Sequence, residues 1–363
     1  MKKYLLNTKD GTKTLVFEQN GTEKREAMHD RNGALSEAIF KFIKPCVWVI
    51  FLYKNIKILD LCSGLGYNTV AALKYFWENS KYYRSIRIDL VEKDREILDI
   101  SRKIDLPNHF NNYKPFHELY KEYAANFLFS ERKESKHKNI CLNFYIGDAR
   151  DMVKELEGGY DMVLFDAFSP TFSPELYTVE FFQLIKNKMN ETGFLITYSS
   201  SSPMRSSLIE AGFKSIGETR PWARRRGGTI ASPSTYSFNI SLRDELMIAL
   251  TDLGIPFRDP NLRDDSSVIL KRREKERKEL RNNILFPSSK NTPFYLLYED
   301  KIPSKVLKTL NNFGLKPNDS NAKYLICPVK KECICGRCDV RLKNSVERIL
   351  EMRKRILSLN RKE

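Results

Sequence analysis

The chain has 363 residues, 41% hydrophobic and 30% charged, with a formal net charge of +16. That length allows one large domain plus a smaller one, and the composition is that of a soluble globular protein. The longest apolar run, Cys46 to Tyr53, covers about a third of a membrane span, which excludes a helical membrane protein. Residues 241–363 carry 27 Lys/Arg against 17 Asp/Glu, leaving an excess of 6 for the first 240. Such an imbalance points to an anionic partner, most simply nucleic acid, or else to a solvated basic surface. Lys2 and Lys3 lead into mixed sequence, so no leader is expected and the cytoplasm is the expected compartment.

In chain order, Thr8-Lys9-Asp10-Gly11-Thr12 between alternating segments predicts a small N-terminal β-ribbon, because Asp-Gly favours a hairpin turn. Leu35, Ala38, Ile39 and Phe42 have helical spacing. Ile56 to Leu61 then reads as a buried strand carrying Asp60, followed by a turn with Cys62, Gly64 and Gly66, Asn68 after it, and a helix over Thr69 to Trp77. Strand, glycine turn and helix open a nucleotide-binding α/β unit, where residues lacking Cβ let the backbone approach a ligand. Any tight strand-to-helix turn shares part of this pattern.

A second strand, Ile86 to Glu92, ends in an acid 26 residues past Gly66. In nucleoside-binding folds an acid there accepts hydrogen bonds from ribose hydroxyls. Residues 101–139 read as a helical or irregular insertion. Leu142 to Ile146 is a strand running into Gly147-Asp148-Ala149, where Asp148 is placed to accept from an adenine amine. Tyr160 to Phe165 is a strand running into Asp166-Ala-Phe-Ser-Pro170, and Pro174 to Lys188 a helix with Phe181, Phe182, Leu184 and Ile185 as its buried stripe. Gly193 to Ser199 is the next strand and Ser206 to Ala211 a helix closed by Gly212. Alternating β and α elements predict a mostly parallel, Rossmann-like sheet covered on both faces.

Beyond it, Trp222 and Arg224-Arg225-Arg226 combine an aromatic face with guanidinium groups suited to phosphate. An exposed basic loop is the plainer alternative. Residues 241–282 read as a basic helical tail and 283–363 as a small α+β module, with a helix around residues 306–313 and a strand at Tyr324-Leu325-Ile326. Cys46, Cys62 and Cys141 read as buried apolar residues. Cys327, Cys333, Cys335 and Cys338 place four thiols within twelve residues. Four thiolates suit tetrahedral zinc, with an iron–sulfur cluster as the weaker alternative and disulfides or free thiols still open.

Taken together, these residues resemble the class I S-adenosylmethionine-dependent methyltransferases, which carry the acidic strand end, glycine turn, second acid and final hairpin in this order. Asp166-Ala-Phe-Ser-Pro170, Thr197-Tyr-Ser-Ser-Ser201 with Arg205, Ala211-Gly-Phe213, the Arg224–Arg226 loop, Asp10-Gly-Thr and Gly33-Ala-Leu-Ser-Glu37 resemble the methyltransferase domain of the MnmC family over roughly residues 1–280. The family turn usually has Gly where this chain has Cys62. The resemblance implies a methyltransferase domain over 1–240 that methylates 5-aminomethyl-(2-thio)uridine at the wobble position of tRNA, without the fused oxidase. It implies S-adenosylmethionine held by Asp60, Cys62, Gly64, Gly66, Asn68, Glu92, Asp148 and Ala149, with Asp166 as the catalytic acid–base group. Ser199 and Ser200 then line the acceptor pocket, and Trp222 with Arg224–Arg226 meets the tRNA anticodon stem-loop. Two competing readings are an aminopropyltransferase or small-amine methyltransferase of similar fold, and a non-catalytic RNA-binding protein.

Overall fold

The computed structural model describes residues 2–18, 25–46, 54–79, 81, 84–129, 139–223, 227–282, 304, 307, 316, 320–338 and 342–359. Arg224–Arg226 lie outside them, as does nearly all of the segment expected to hold a strand after Phe294 and a helix over 306–313. No helix among the described residues is long and apolar enough to cross a membrane.

The N-terminal ribbon has three antiparallel strands, β1 (Lys2–Asn7), β2 (Lys13–Glu18) and β3 (Arg25–Ala27). Gly11 takes a φ of 76° in the expected turn, and the Thr12 N–H donates to Asp10 Oδ1 at 3.0 Å. Helix α1 (Ala34–Glu37) continues as a π-helix over Ala38–Ile43.

Seven strands form the main sheet: β4 (Asn55–Leu61), β5 (Ser85–Glu92), β6 (Ile140–Ile146), β7 (Tyr160–Phe165), β8 (Met189–Thr197), β9 (Ser215–Glu218) and β10 (Thr229–Ser232). Their order is β6-β5-β4-β7-β8-β10-β9. β4 pairs in parallel with both β5 and β7, and β5–β6 and β7–β8 are parallel too. Their near-continuous apolar runs are those of strands covered on both faces, and β7 is buried at all six positions. From β4 the chain passes to β5 on one side, while β7 lies on the other. That reversal makes the carboxyl ends of β4 and β7 a ligand-binding crevice in folds of this kind.

The intervening helices are α2 (Tyr67–Glu78), α3 (Arg95–Ser101), α4 (Lys114–Phe129), α5 (Ala149–Glu155), α6 (Val179–Lys188) and α7 (Ser202–Glu210). Helix α4 accounts for much of the insertion that sequence left as helical or irregular. Cys46 is buried and Cys62 half-buried, but Cys141 on edge strand β6 is exposed, against expectation.

The chain divides into two compact units. One comprises Met1–Leu176, Leu184–Ser199 and Thr219–Ile230; the other comprises Tyr177–Gln183, Ser200–Glu218 and Ala231–Glu363. Residues 241–282, expected as a tail, lie within the second unit. Helix α8 (Leu242–Leu250) buries Leu246, Ile248, Ala249 and Leu250. The basic helix α9 (Ser266–Asn282) spends its arginines on its own unit: Arg273 Nε donates to the Ile255 carbonyl at 2.7 Å, and Arg277 and Arg281 both reach Asp252.

At the C-terminal end, α10 (Ser320–Ile326) and α11 (Ser345–Leu359) are helices. Tyr324-Leu325-Ile326 is therefore helical, not the expected strand. A three-residue apolar run carries no period of its own, and here Leu325 and Ile326 are simply the buried side of one helical turn.

Candidate active site

The turn after β4 is built on left-handed backbone. Cys62, Gly64 and Gly66 have φ of 60°, 54° and 79°. Gly66 caps α2, and a Cβ there would lie 2.3 Å from the Tyr120 ring, so no larger residue fits. Cys62 occupies the same region without glycine's freedom, at a local cost of about 1–2 kcal/mol. The first turn of α2 then presents backbone N–H groups and Asn68 toward the strand ends.

Carboxylates gather around this turn. Asp60 is fully buried; its Oδ2 accepts from Thr69 Oγ1 at 2.7 Å, and its Oδ1 has no partner. Burial pushes its carboxyl up to about 7, the Thr69 hydroxyl opposes this, and nearby Glu92 adds to it. Glu92 Oε2 accepts from the Gly64 N–H at 2.9 Å and Oε1 from the Asp94 N–H at 3.0 Å. Burial raises its carboxyl against those hydrogen bonds. The Cys62 thiol is pushed well up by its enclosure and then by the charges of Glu92, Asp166, Glu175 and Asp60.

Asp148 caps α5, accepting from the Arg150 N–H at 3.0 Å and from the Arg150 guanidinium at 3.1 Å. Although burial works the other way, those bonds hold its carboxyl below the usual range. Ala149 is buried as the first residue of the same helix.

Asp166 follows β7 directly, and its N–H donates to the Leu61 carbonyl at 3.1 Å, tying it to the end of β4. Asn68 Nδ2 donates to Asp166 Oδ2 at 2.9 Å. The next residues, Ala167, Phe168 and Ser169, line a cavity of about 510 Å³ with Tyr198 and residues 25–32 of the N-terminal segment. Ser169 donates through both N–H and Oγ to Glu26, at 2.6 and 2.7 Å, and Tyr198 OH donates to the Ala167 carbonyl at 3.0 Å. Met28, on the cavity wall, also reaches the turn: a Cβ on Gly64 would meet its Cε at 3.2 Å. Cavity and glycine turn therefore adjoin.

The remaining expected residues are more scattered. Ser199 is buried and its carbonyl accepts from Thr229 Oγ1 at 2.7 Å; neither it nor Ser200 lines the cavity. Ser200 is half-buried and belongs to the second unit. Trp222 stacks on Phe40, with centroids 5.6 Å apart and planes within 8°, and Lys44 Nζ sits 3.6 Å from the Phe40 ring centroid. Arg205, quoted in the family pattern, is a fully buried partner of Asp244 at 2.8 Å. The four clustered cysteines do come together, all sulfurs lying within 4.8 Å of one another.

Glu26, Met28 and Glu175 were missed by sequence reasoning. The first two sit on or beside the ribbon, whose period announces strands but not what those strands cover. Glu175, five residues past the Asp166–Pro170 segment, carried no signal beyond its place at a helix start.

The residues present fit S-adenosylmethionine: an orphaned buried carboxylate oxygen on Asp60, a left-handed glycine turn at the N-terminus of α2, and an acid at the end of β5. Residues 111–234 match a family profile described as S-adenosyl-L-methionine-dependent methyltransferase. An uncharacterised protein of Methanocaldococcus jannaschii is 37% identical over 324 residues, covering 89% of this chain and 84% of that one. The bifunctional tRNA 5-methylaminomethyl-2-thiouridine biosynthesis protein MnmC of Azoarcus is 28% identical over 213 residues, which is 55% of this chain and 32% of that protein. The crystal structure of MnmC2 from Aquifex aeolicus superposes with a TM-score of 0.64 at 32% identity, covering 77% of this chain and 86% of its own. The chain belongs to the MnmC2-like family of S-adenosylmethionine-dependent methyltransferases.

Proposed function

We propose that this protein methylates the primary amine of 5-aminomethyl-(2-thio)uridine at the wobble position of cytoplasmic tRNA, reading the anticodon stem-loop. The observation that supports this is the Asn68–Asp166 hydrogen bond beside the 510 Å³ cavity, which has acidic and basic side chains on its wall.

When bound, S-adenosylmethionine supplies a methyl group already activated on a sulfonium. Asp60 and the Cys62–Asn68 turn would hold its amino-acid end, Glu92 its ribose and Asp148–Ala149 its adenine. The acceptor is an alkylammonium titrating near ~10, so its lone pair must be freed. Asp166 accepts a hydrogen bond from that ammonium and receives its proton. Asn68, by donating to Oδ2, fixes the plane in which the carboxylate does so. The cavity wall carries Glu26, Asp30 and Glu37 together with Arg25 and Arg31, so Asp166 and not the net charge of the wall is the group assigned to the cationic amine.

The test is nucleoside mass analysis of tRNA from cells lacking the protein. Accumulation of 5-aminomethyl-(2-thio)uridine is expected, with purified protein and S-adenosylmethionine restoring the methylated form. An unchanged nucleoside profile would refute the wobble assignment.

A further inference from the structure

We propose that Cys327, Cys333, Cys335 and Cys338 form a closed, structural zinc site at the C-terminal end of the chain.

Distances decide among the thiol chemistries. Five of the six sulfur separations are 3.8 Å for Cys327–Cys333, 3.7 Å for Cys333–Cys335, 3.9 Å for Cys333–Cys338, 3.5 Å for Cys335–Cys338 and 3.6 Å for Cys338–Cys327, and the sixth, Cys327–Cys335, is within 4.8 Å. A disulfide requires ~2.05 Å, so none of these pairs is bonded. Sulfurs bound to one tetrahedral zinc at ~2.3 Å stand ~3.8 Å apart. The observed spread brackets that value. In a four-iron cluster each thiolate serves its own iron, which spreads the sulfurs more widely around the cluster. A single ion with softness for sulfur and no geometric preference of its own is what this cage fits.

The surroundings are built for charged sulfur. Ile334 N–H donates to Cys327 Sγ at 3.3 Å. Gly336, between Cys335 and Cys338, has φ of 63°; a Cβ there would meet nothing within 4 Å, so the glycine serves the backbone reversal and not a lack of room. Arg337 donates to Asn321 Oδ1 at 3.2 Å and Ser320 Oγ at 2.9 Å, anchoring the loop to the start of α10. Arg355 on α11 is 2% exposed and donates to the Tyr324 carbonyl at 2.6 Å and to Glu351 at 2.8 Å, bracing α11 against α10. Both guanidiniums lie over the Tyr324 ring, at 5.8 and 4.4 Å. Four thiolates around a divalent ion leave a double negative charge, and guanidinium groups in its surroundings offset that charge. With all four positions filled by protein, no place remains for water or substrate, so the ion holds the loop between α10 and α11 and does no chemistry.

Full-length protein purified anaerobically without chelator should contain one zinc per chain by elemental analysis. Cobalt added to metal-depleted protein should give thiolate-to-cobalt charge-transfer bands and tetrahedral d–d bands. The Cys335→Ser/Cys338→Ser double variant should lose the zinc, and Arg355→Met should release it faster to a colorimetric chelator. Calorimetric binding of S-adenosylhomocysteine by the double variant checks that the chain is folded when metal is lost. Metal-free native protein with four freely reactive thiols, a mass showing disulfides, or bound iron with cluster absorption would each overturn the assignment. The wild-type measurements decide even if the variant fails to fold.

Discussion

Asn68 on the first turn of α2 donates its side-chain amide to Asp166 Oδ2, 2.9 Å away and 98 residues later in the chain. The bond joins the helix that follows the glycine turn to the strand end beside the 510 Å³ cavity. It also lets the two roles be separated by mutation.

Asp166→Ala should lower kcat by about 10²–10⁴, the usual contribution of a positioned acid–base group. Affinity for S-adenosylhomocysteine should change by a few-fold at most. Asn68→Ala removes a hydrogen bond to a charged group, worth about 1.5–3 kcal/mol, and should give a smaller loss of kcat. Single-turnover methylation with calorimetry checks both. If Asp166→Ala lost cofactor affinity and rate in equal measure, the carboxylate would belong to the cofactor site instead.

How much of this was legible in sequence depended on how far apart the cooperating residues lie. The Ile56–Leu61 period and the glycine spacing are local, so the turn and the succession of strands and helices along the chain could be read directly. The Asn68–Asp166 bond needs β4 and β7 to be neighbours, which only the strand order supplies. Arg205 entered the sequence reading only as part of the family pattern; its partner Asp244 belongs to a segment whose charge concealed the buried Leu246–Leu250 stripe. The cavity wall at residues 25–32 was illegible for a related reason. Alternation predicts a ribbon but is silent on what the ribbon packs over.

Asp60 should make stability fall as pH rises. An unfolded aspartate titrates near ~3.9, while burial pushes this one up to about 7 in the folded chain. Between those values the folded state binds the extra proton, so its advantage is complete below about 4 and is lost by about 7. The ceiling on the effect is roughly 4 kcal/mol. Asp60→Asn keeps an acceptor for Thr69 and should remove this decline. Urea denaturation at pH 5 and pH 8 measures it; identical pH dependence in both proteins would contradict the assignment.

The glycine turn offers opposite outcomes at two positions. Gly66→Ala places a Cβ 2.3 Å from the Tyr120 ring at a φ of 79°. It should cost about 1–3 kcal/mol and weaken S-adenosylmethionine binding. Cys62→Gly relieves a left-handed φ of 60° and should leave stability level or raise it by up to about 1 kcal/mol, with cofactor binding kept. Thermal unfolding with and without S-adenosylhomocysteine separates them.

Breaking the buried Arg205–Asp244 pair should be a pure stability effect. Asp244→Ala leaves a fully buried guanidinium without its 2.8 Å partner and should cost about 3–5 kcal/mol. Replacing both residues by apolar side chains should recover much of that loss. Denaturant midpoints report it, and S-adenosylhomocysteine affinity measured well below the transition should stay within error of wild type.

Binding of tRNA makes the final prediction, because charge and stacking leave different signatures. Each phosphate that a cationic side chain ceases to neutralise reduces the slope of log affinity against log salt by about 0.7–0.9. Arg224→Ala and Arg226→Ala should each flatten the slope by about that much and weaken binding across sequences. Trp222 is uncharged and stacked on Phe40, which also carries Lys44 over its ring and is itself 38% exposed. If a base extends that stack, Trp222→Ala should weaken binding by about 1–3 kcal/mol and leave the slope unchanged. Filter binding of anticodon stem-loop RNA across a salt series distinguishes the two effects. Arginine variants that bind with wild-type affinity and slope would remove this loop from the RNA surface, and a tryptophan variant that changes the slope would show that its effect is not stacking.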